Sequence, residues 1–304
     1  MKEKILRLNL YFGLFGLIFS AFLLVLDVSF MKTWFFCCSW WSFILIMDSL
    51  NFRRSKASPL SISLKNFLFS AFISVLVWLI FELFNLRVKN WTYHDLPPGI
   101  LERWIGYFIA YASVIPAMKE ISLFVQSFLS KRKLALFRIR GTPVLLKSWF
   151  FSGIISIILV LAWPRLFFPF VWLCFIFMLE PLNFWLKNET LLKDLEKKDW
   201  TRFWSWLLAG LVAGFLWEFW NFWAGSHWEY SIPYLNFWRV FQMPVFGYTG
   251  FLPFALEVFA LYQLLFALYK KLQRKIVFKG MIIILLLVFY AGAFYLIDTF
   301  TFVR

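Results

Sequence analysis

Apolar segments long enough to cross a bilayer alternate with short polar connections along the whole chain. A membrane-spanning helix needs about 20 apolar residues, and the pattern predicts nine such helices. They lie at residues 10–30, 34–50, 67–86, 104–129, 148–162, 166–186, 203–223, 240–269 and 280–300. Residues 148–186 hold two of them because Trp163-Pro164-Arg165 must turn the chain, since one helix of that length would run about 58 Å. We therefore predict an all-α, polytopic transmembrane helical bundle.

The composition agrees with this prediction and excludes a soluble fold. Hydrophobic residues make up 62% of the chain and charged residues only 15%, which is typical of a polytopic membrane protein. The longest polar connections, at 51–66 and 187–202, are too short to fold on their own.

The net charge of +15 comes mainly from lysines and arginines in alternate connections. Five segments hold 23 of them, at 1–9, 51–66, 130–147, 187–202 and 270–280, whereas the opposite side holds seven. By the positive-inside rule, this asymmetry predicts a protein of the cell membrane with a cytoplasmic N-terminus and with Arg304 outside. Anionic lipid headgroups are the expected partners of the basic connections, and nucleic acid is not an expected partner.

One pattern of acidic residues and asparagines occurs twice. The first half reads Phe81-Glu82-Leu83-Phe84-Asn85, then Trp91-Thr92-Tyr93, Pro116 and Glu120, and the second reads Trp217-Glu218-Phe219-Trp220-Asn221, then Trp228-Glu229-Tyr230, Pro253 and Glu257. An earlier block with Asp48 and Asn51 matches one with Glu180 and Asn183, and the offsets are 132, 136 and 137 residues. We predict two parallel four-helix repeats, at 1–135 and 136–272, with a ninth helix at 273–304 outside them.

Carboxylates inside membrane-spanning sequence are costly, so their default interpretation is a functional site. Burial among aromatic rings disfavours the charged form of a carboxyl group, which suits it to general acid catalysis. The predicted proton-handling residues are Glu218, Glu257, Glu82 and Glu120. We expect Glu257 to lie level with Glu218, because residues 240–250 are predicted to precede the true span, and we expect Glu120 to lie near Glu82.

Two asparagines lie three residues after a glutamate, on the same helix face, and are expected to orient its carboxylate. They are Asn85 and Asn221. A secondary set lies at the cytoplasmic helix ends, where ordinary contacts with Arg53 or Lys187 are an equal alternative. It contains Asp48, Asn51, Glu180 and Asn183.

Aromatic residues are concentrated beside the acidic residues and are expected to line a pocket. They are Trp217, Trp220, Trp223, Trp228, Tyr230, Tyr234, Trp91 and Tyr93. An aromatic belt at the membrane interface is the alternative. A pocket with such walls suits a hydrophobic small molecule or lipid, or a cation held over the ring faces. We expect no metal, because the only two histidines, His94 and His227, lack metal-ligand spacing. We also expect no cofactor, since no GxGxxG motif follows a strand.

The second half resembles the small membrane-type lycopene cyclase domain, a family that occurs as paired repeats. The resemblance lies in Leu216–Ala224, Trp228–Tyr234, Leu252-Pro253 with Glu257, and the Asp48 block. Here a single glutamate follows the proline by four residues, whereas the family has adjacent acids two and three residues after it. The resemblance implies an enzyme that protonates a polyene end, cyclises the carbocation and releases a proton, with Glu218 and Glu257 at the family's carboxylate positions.

Three functions are compatible with these patterns. The first is an isoprenoid- or lipid-modifying enzyme of cyclase or isomerase type. The second is a transporter or proton-coupled carrier with paired acidic sites. The third is a noncatalytic membrane subunit whose carboxylates hold helices together. The sequence does not predict an oligomeric state.

Overall fold

The computed structural model describes residues 2–132, 134–272 and 276–303. The helices are α1 Lys2–Val25, α2 Ser29–Ser55, α3 Pro59–Ile62, α4 Leu64–Val88, α5 Ile100–Tyr111, α6 Val114–Leu129, α7 Pro143–Ala162, α8 Pro164–Phe167, α9 Cys174–Trp185, α10 Leu191–Glu196, α11 Thr201–Trp223, α12 Tyr248–Leu272 and α13 Ile276–Phe300. The strands are β1 Trp91–His94, β2 His227–Tyr230, β3 Arg239–Val240 and β4 Met243–Pro244, and 3₁₀ turns lie at Ser130–Arg132, Phe168–Trp172 and Val245–Gly247.

The predicted number of spans is confirmed. Eight helical segments within the described residues are long and apolar enough to cross a membrane, and the bent pair Pro164–Trp172 and Cys174–Trp185 makes up to nine. The fold is an all-α polytopic helical bundle. The division into domains at residues 135 and 272 stays a prediction, and the expected position of Arg304 concerns a residue outside the described ranges.

Prolines divide the spans where the sequence predicted a turn. Helix α7 ends at Ala162, and Pro164 opens the short α8, because a proline is tolerated in the first helical turn but not further inside. The chain then bends by 41° before α9. In the second half, α12 begins at Tyr248, three residues before the predicted start at Phe251.

The short sheet of β1 and β2 joins the two halves of the chain at one face of the bundle, which we call the sheet face. The strands are antiparallel, and Trp91 lies opposite Tyr230. The end of the chain extends this sheet, because the Tyr93 amide donates to the Thr301 carbonyl at 2.8 Å and the Val303 amide donates to the Tyr93 carbonyl at 2.9 Å. The lysine- and arginine-rich connections lie at the other end of the spans, which we call the basic face.

Helix α13 packs against the first half through a buried ion pair. The Arg103 guanidinium donates to both carboxylate oxygens of Asp298, at 3.0 and 2.9 Å. Trp104 Nε1 and the Tyr107 hydroxyl donate to the same carboxylate, at 3.0 and 2.9 Å. Four donors therefore satisfy Asp298, and they fix α13 against α5.

Replacing Asp298 with alanine is expected to lower the free energy of unfolding by about 3–5 kcal/mol, because Arg103 would stay buried without its partner. The matched control is Asp27→Ala, since Asp27 pairs with Lys32 but its side chain is 79% exposed, and exposed pairs contribute little. Thermal unfolding in detergent measures the difference. Equal transition midpoints for the two variants would contradict the structural role of the buried pair.

Candidate functional site

A cavity of about 360 Å³ lies between the two halves, beneath the sheet. Its walls are mostly aromatic and come from both halves. They include Phe36, Trp78, Trp91, Tyr93, Tyr111, Trp172, Trp217, Trp228, Tyr230 and Phe254. The rings pack closely, with Trp78 and Trp217 centred 4.9 Å apart at the floor. The cavity is therefore apolar, and the polar groups at its wall are few.

Glu82 lies behind the wall formed by the first half. Its Oε1 accepts hydrogen bonds from Trp78 Nε1 at 2.8 Å, Trp91 Nε1 at 3.2 Å and the Tyr93 hydroxyl at 2.5 Å. The Tyr111 hydroxyl donates to the Tyr93 hydroxyl at 3.0 Å. A chain of hydrogen bonds thus runs from the buried carboxylate to the cavity.

Glu218 occupies the equivalent place in the second half with fewer partners. The Tyr230 hydroxyl donates to its Oε1 at 2.8 Å. Its Oε2 is buried and has no hydrogen-bond partner among the described residues. Burial, and next the Glu218 charge, hold the pKa of Tyr230 well above its ordinary value, so the hydroxyl keeps its proton and donates.

Glu82 has three donors and Glu218 has one, and the absence of a counterpart to the Trp78 donor has a steric cause. Trp78, which donates to Glu82, corresponds at the repeat offset of 136 to Gly214. A Cβ atom at Gly214 would lie 2.3 Å from the Phe251 ring, so a bulkier residue would collide there. The Phe251 ring therefore takes the place of the Trp78 indole N–H, which donates to Glu82 Oε1. The free Oε2 of Glu218 corresponds to Glu82 Oε2, which accepts from Trp91 Nε1 at 3.3 Å.

The asparagines do not bind the carboxylates as predicted. Asn85 Nδ2 donates to the Trp91 carbonyl at 2.8 Å, and the Trp91 amide donates to Asn85 Oδ1 at 3.2 Å. Asn221 makes the same pair of bonds with Trp228, both at 2.9 Å. The side-chain amides of both asparagines bind backbone groups that would otherwise be buried without hydrogen-bond partners. They position the cavity-lining tryptophans instead.

The structure also separates the carboxylates that were expected to lie level. Helices α4 and α6 are antiparallel and meet where the Ile115 amide donates to Ser74 Oγ. Glu82 lies eight residues after Ser74 and Glu120 lies five after Ile115, which places them roughly 20 Å apart along the helix axes at 1.5 Å per residue. The expectation was wrong because α4 and α6 run in opposite directions. Glu82 and Glu120 therefore lie on opposite sides of the contact between Ser74 and Ile115.

The second half shows the same separation. A Cβ atom at Gly210 would lie 2.2 Å from the Phe251 carbonyl oxygen, which is why α11 and α12 approach so closely there. Glu218 and Glu257 lie eight and six residues beyond this contact in opposite directions, or roughly 20 Å apart along the axes.

Glu120 and Glu257 bind groups away from the cavity. Asn51 Nδ2 donates to Glu120 Oε2 at 2.6 Å and to the Glu120 carbonyl at 2.9 Å. Glu257 Oε1 accepts from the Phe175 amide at 2.8 Å, in the first turn of α9. Carboxylates stabilise helix N-termini in this way. A proton-handling role for these two residues stays a prediction.

The secondary residues also contact backbone groups at the basic face. Asp48 Oδ1 accepts from the Leu60 amide at 2.9 Å, in α3. The Glu180 carboxylate accepts from the Leu191 and Leu192 amides of α10, at 3.1 and 3.2 Å. Asn183 Nδ2 donates to the Ala260 carbonyl at 2.9 Å. These contacts are typical of helix capping and of packing between spans.

The predicted aromatic residues divide into two groups. Trp91, Tyr93, Trp217, Trp228 and Tyr230 line the cavity. Trp220 is buried against Trp40, with ring centres 4.7 Å apart, and lies outside the cavity wall. Trp223 and Tyr234 are exposed and lie outside the cavity wall, and their place in an aromatic belt stays a prediction.

The two histidines lie opposite each other in the sheet, with ring centres 5.7 Å apart. Within the ranges that the structure describes, no group of three or more histidine, cysteine, aspartate or glutamate residues is placed to hold a metal ion. The absence of a metal and of a cofactor stays a prediction.

Sequence reasoning missed several residues of the site. Trp78 precedes Glu82 by four residues, a spacing that places both on one helix face, so it could have been found from the pattern. Tyr111 and Trp172 come from separate elements, and no sequence signal connects them with the glutamates.

Comparisons with protein families, with curated proteins and with solved structures find no match. The fold and the cavity themselves define the class. The chain is an integral, multi-pass membrane protein with an aromatic cavity between its halves.

Replacing Asn221 with alanine is expected to lower the free energy of unfolding, by about 1–3 kcal/mol for each backbone group left unsatisfied. The Trp228 amide and carbonyl both lose their partner in this variant. Asn236→Ala is the control, because Asn236 is exposed. Unfolding is followed by tryptophan fluorescence in detergent, and equal stability of the two variants would show that the amide does not hold the strand.

Proposed function

We propose that the protein binds a hydrophobic, isoprenoid-like lipid in this cavity and rearranges it by acid–base chemistry, as an isomerase or cyclase. One observation supports this proposal most. The hydroxyls of Tyr93 and Tyr230, both at the cavity wall, contact the buried carboxyl groups of Glu82 and Glu218. A proton can therefore reach an apolar ligand without a path through water.

The ligand class follows from the wall. Apolar and aromatic side chains dominate it, and a polyene or another unsaturated chain packs well against ring faces. A carbocation formed by protonation would lie beside Trp78, Trp217 and Trp228, whose ring faces stabilise positive charge. The proposal thus covers an unsaturated lipid and not a hydrophilic solute.

The two carboxyl groups suit different steps. Glu82 accepts from three donors, which stabilise a carboxylate that can receive a proton. Glu218 has one donor, the Tyr230 hydroxyl, and a free oxygen that can carry a proton. When Tyr230 passes its hydroxyl proton to the ligand, the protonated Glu218 replaces that proton and becomes a carboxylate. A proton added to one carbon of a double bond and another lost from a different carbon leave the elemental composition of the lipid unchanged. Such a reaction requires no oxidant or reductant.

We further propose that the resemblance to the lycopene cyclase domain reflects a distant common origin. Glu218 contacts the hydroxyl of the cavity-lining Tyr230, as that proposal requires, whereas Glu257 binds an amide in the first turn of α9. We assign the acid–base roles to Glu218 and Glu82 and leave Glu257 with a structural role. We also propose a cytoplasmic location for the basic face, because of its excess of lysine and arginine.

A cavity-filling variant tests the ligand. A Cβ atom at Gly106 meets no atom within 4 Å, although Gly106 lines the cavity, so Gly106→Leu is expected to fill the cavity without disturbing the fold. Gly292→Leu, equally unobstructed on α13, is the control. We expect the first variant to lose most of the lipid that co-purifies in mild detergent and the control to retain it, as measured by mass spectrometry. Equal lipid content would contradict binding in the cavity.

The chemistry is tested by Glu218→Gln, with Glu229→Gln on the partly exposed edge of β2 as the control. Loss of a general acid lowers turnover by about 10²–10⁴-fold. Membranes that contain the Glu218→Gln variant are therefore expected to accumulate one lipid and lose another of equal mass but different chromatographic retention. Identical lipid profiles would rule out the enzyme and leave the subunit or the carrier.

A proton-coupled carrier is the second candidate. The observation in its favour is a separate set of buried polar groups near the basic face, where Asn51 joins Glu120 and where Lys119 Nζ donates to the Tyr262 hydroxyl at 3.0 Å. Buried carboxyl groups thus lie toward the sheet face as well as toward the basic face. Substrate uptake into proteoliposomes that stops in Glu120→Gln would favour the carrier over the enzyme.

A further inference from the structure

The segment between β2 and α12 exposes large apolar side chains to the outside of the bundle. We call residues 231–247 the aromatic loop. Tyr234 is 74% exposed and Trp238 is 76% exposed. The exposed set also includes Phe237, Val240, Val245 and Phe246. Arg239 is the one charged residue of the loop, and its guanidinium donates to the Tyr230 carbonyl at 3.2 Å.

The aromatic loop is also part of the cavity wall. Ile232, Leu235, Met243 and Phe246 face the cavity. Phe246 is at the same time 48% exposed, and Thr249, just after the loop, is both exposed and at the wall. Glu102 and Pro169 are likewise exposed and at the wall, so the cavity reaches the outer surface at more than one point, and one of these lies beside Phe246 and Thr249.

The repeat shows how the two halves differ on this side of the bundle. In the first half, α13 covers α5, with Trp104 and Phe294 rings centred 6.1 Å apart and with Asp298 bound to Arg103. At the repeat offset of 137, α5 corresponds to residues 237–248. Leu101 and its counterpart Trp238 are both exposed, at 71% and 76%, whereas Ile109 is half-buried and its counterpart Phe246 is 48% exposed. The ninth helix therefore covers the Arg103 side of α5, and the two halves differ in exposure at Phe246.

We propose that the aromatic loop lies in the membrane interface and that the opening beside Phe246 and Thr249 is a lateral entrance through which bilayer lipid enters the cavity. The route rests on the proposed function, because it presumes a lipid ligand. The loop leads directly into α12, which is a span, so it lies at the membrane boundary. Tryptophan and tyrosine are favoured at that depth, and an arginine there reaches the headgroups.

The position of the loop is measured with a nitroxide attached to Trp238→Cys, in a background where Cys37, Cys38 and Cys174 are replaced by alanine. In liposomes, we expect the label to collide more with oxygen than with a water-soluble nickel complex. A label at Phe151→Cys, an exposed position of the span α7, is expected to do the same. A label at Asp95→Cys, in the exposed turn after β1, is expected to show the reverse. A Trp238 label that behaves like the Asp95 label would overturn the proposal, and so would spin–spin broadening, which would indicate a second copy of the chain on this surface.

The entrance is tested by narrowing it. A Cβ atom at Gly250 would lie 3.4 Å from Trp172, so Gly250→Leu is expected to narrow the opening, and Thr249→Trp provides a second variant at an exposed position. Both are expected to lower the co-purified lipid as Gly106→Leu does, while Gly292→Leu retains it. If only Gly106→Leu lowers it, the entrance lies elsewhere and the cavity function stands. If Gly106→Leu also has no effect, the proposed function itself fails.

Discussion

The architecture depends on the need to satisfy every polar group that the apolar surroundings bury. Asn85 and Asn221 meet this need at the helix ends, because each binds both backbone groups of a tryptophan that follows its helix. An unpaired amide or carbonyl in hydrocarbon would be strongly unfavourable. The two strands therefore start in a defined position, pair across the halves and close the cavity from above.

Most of the buried acids serve the same need. Asp48 and Glu180 bind amides of short helices at the basic face, and Glu257 binds an amide of α9. Glu82 and Glu218 differ from them, since side-chain donors that line a cavity hold them. Location next to an apolar cavity, and not burial or repetition, distinguishes a carboxyl group suited to chemistry from one that stabilises the fold.

The two halves of the chain differ in two ways that bear on the proposed function. Gly214 stands where the first half has Trp78, so Glu218 lacks that donor. Its Oε2 is also free, whereas Glu82 Oε2 accepts from Trp91 Nε1. Helix α13 binds α5 through Asp298, whereas the equivalent segment of the second half is the exposed aromatic loop. Both differences place the free acid and the open surface in the same half of the molecule.

The sequence by itself determined the helical bundle, its spans, the turn at Pro164 and the importance of the glutamates, because hydrophobic length and intramembrane charge depend only on local composition. It also identified five of the cavity-lining aromatic residues. The tertiary structure alone decided which groups meet. Because neighbouring helices run antiparallel, Glu120 and Glu257 lie away from the cavity. The asparagine amides bind backbone groups of Trp91 and Trp228. Partners so far apart in the chain are selected by packing and hydrogen-bond satisfaction, for which no local pattern exists.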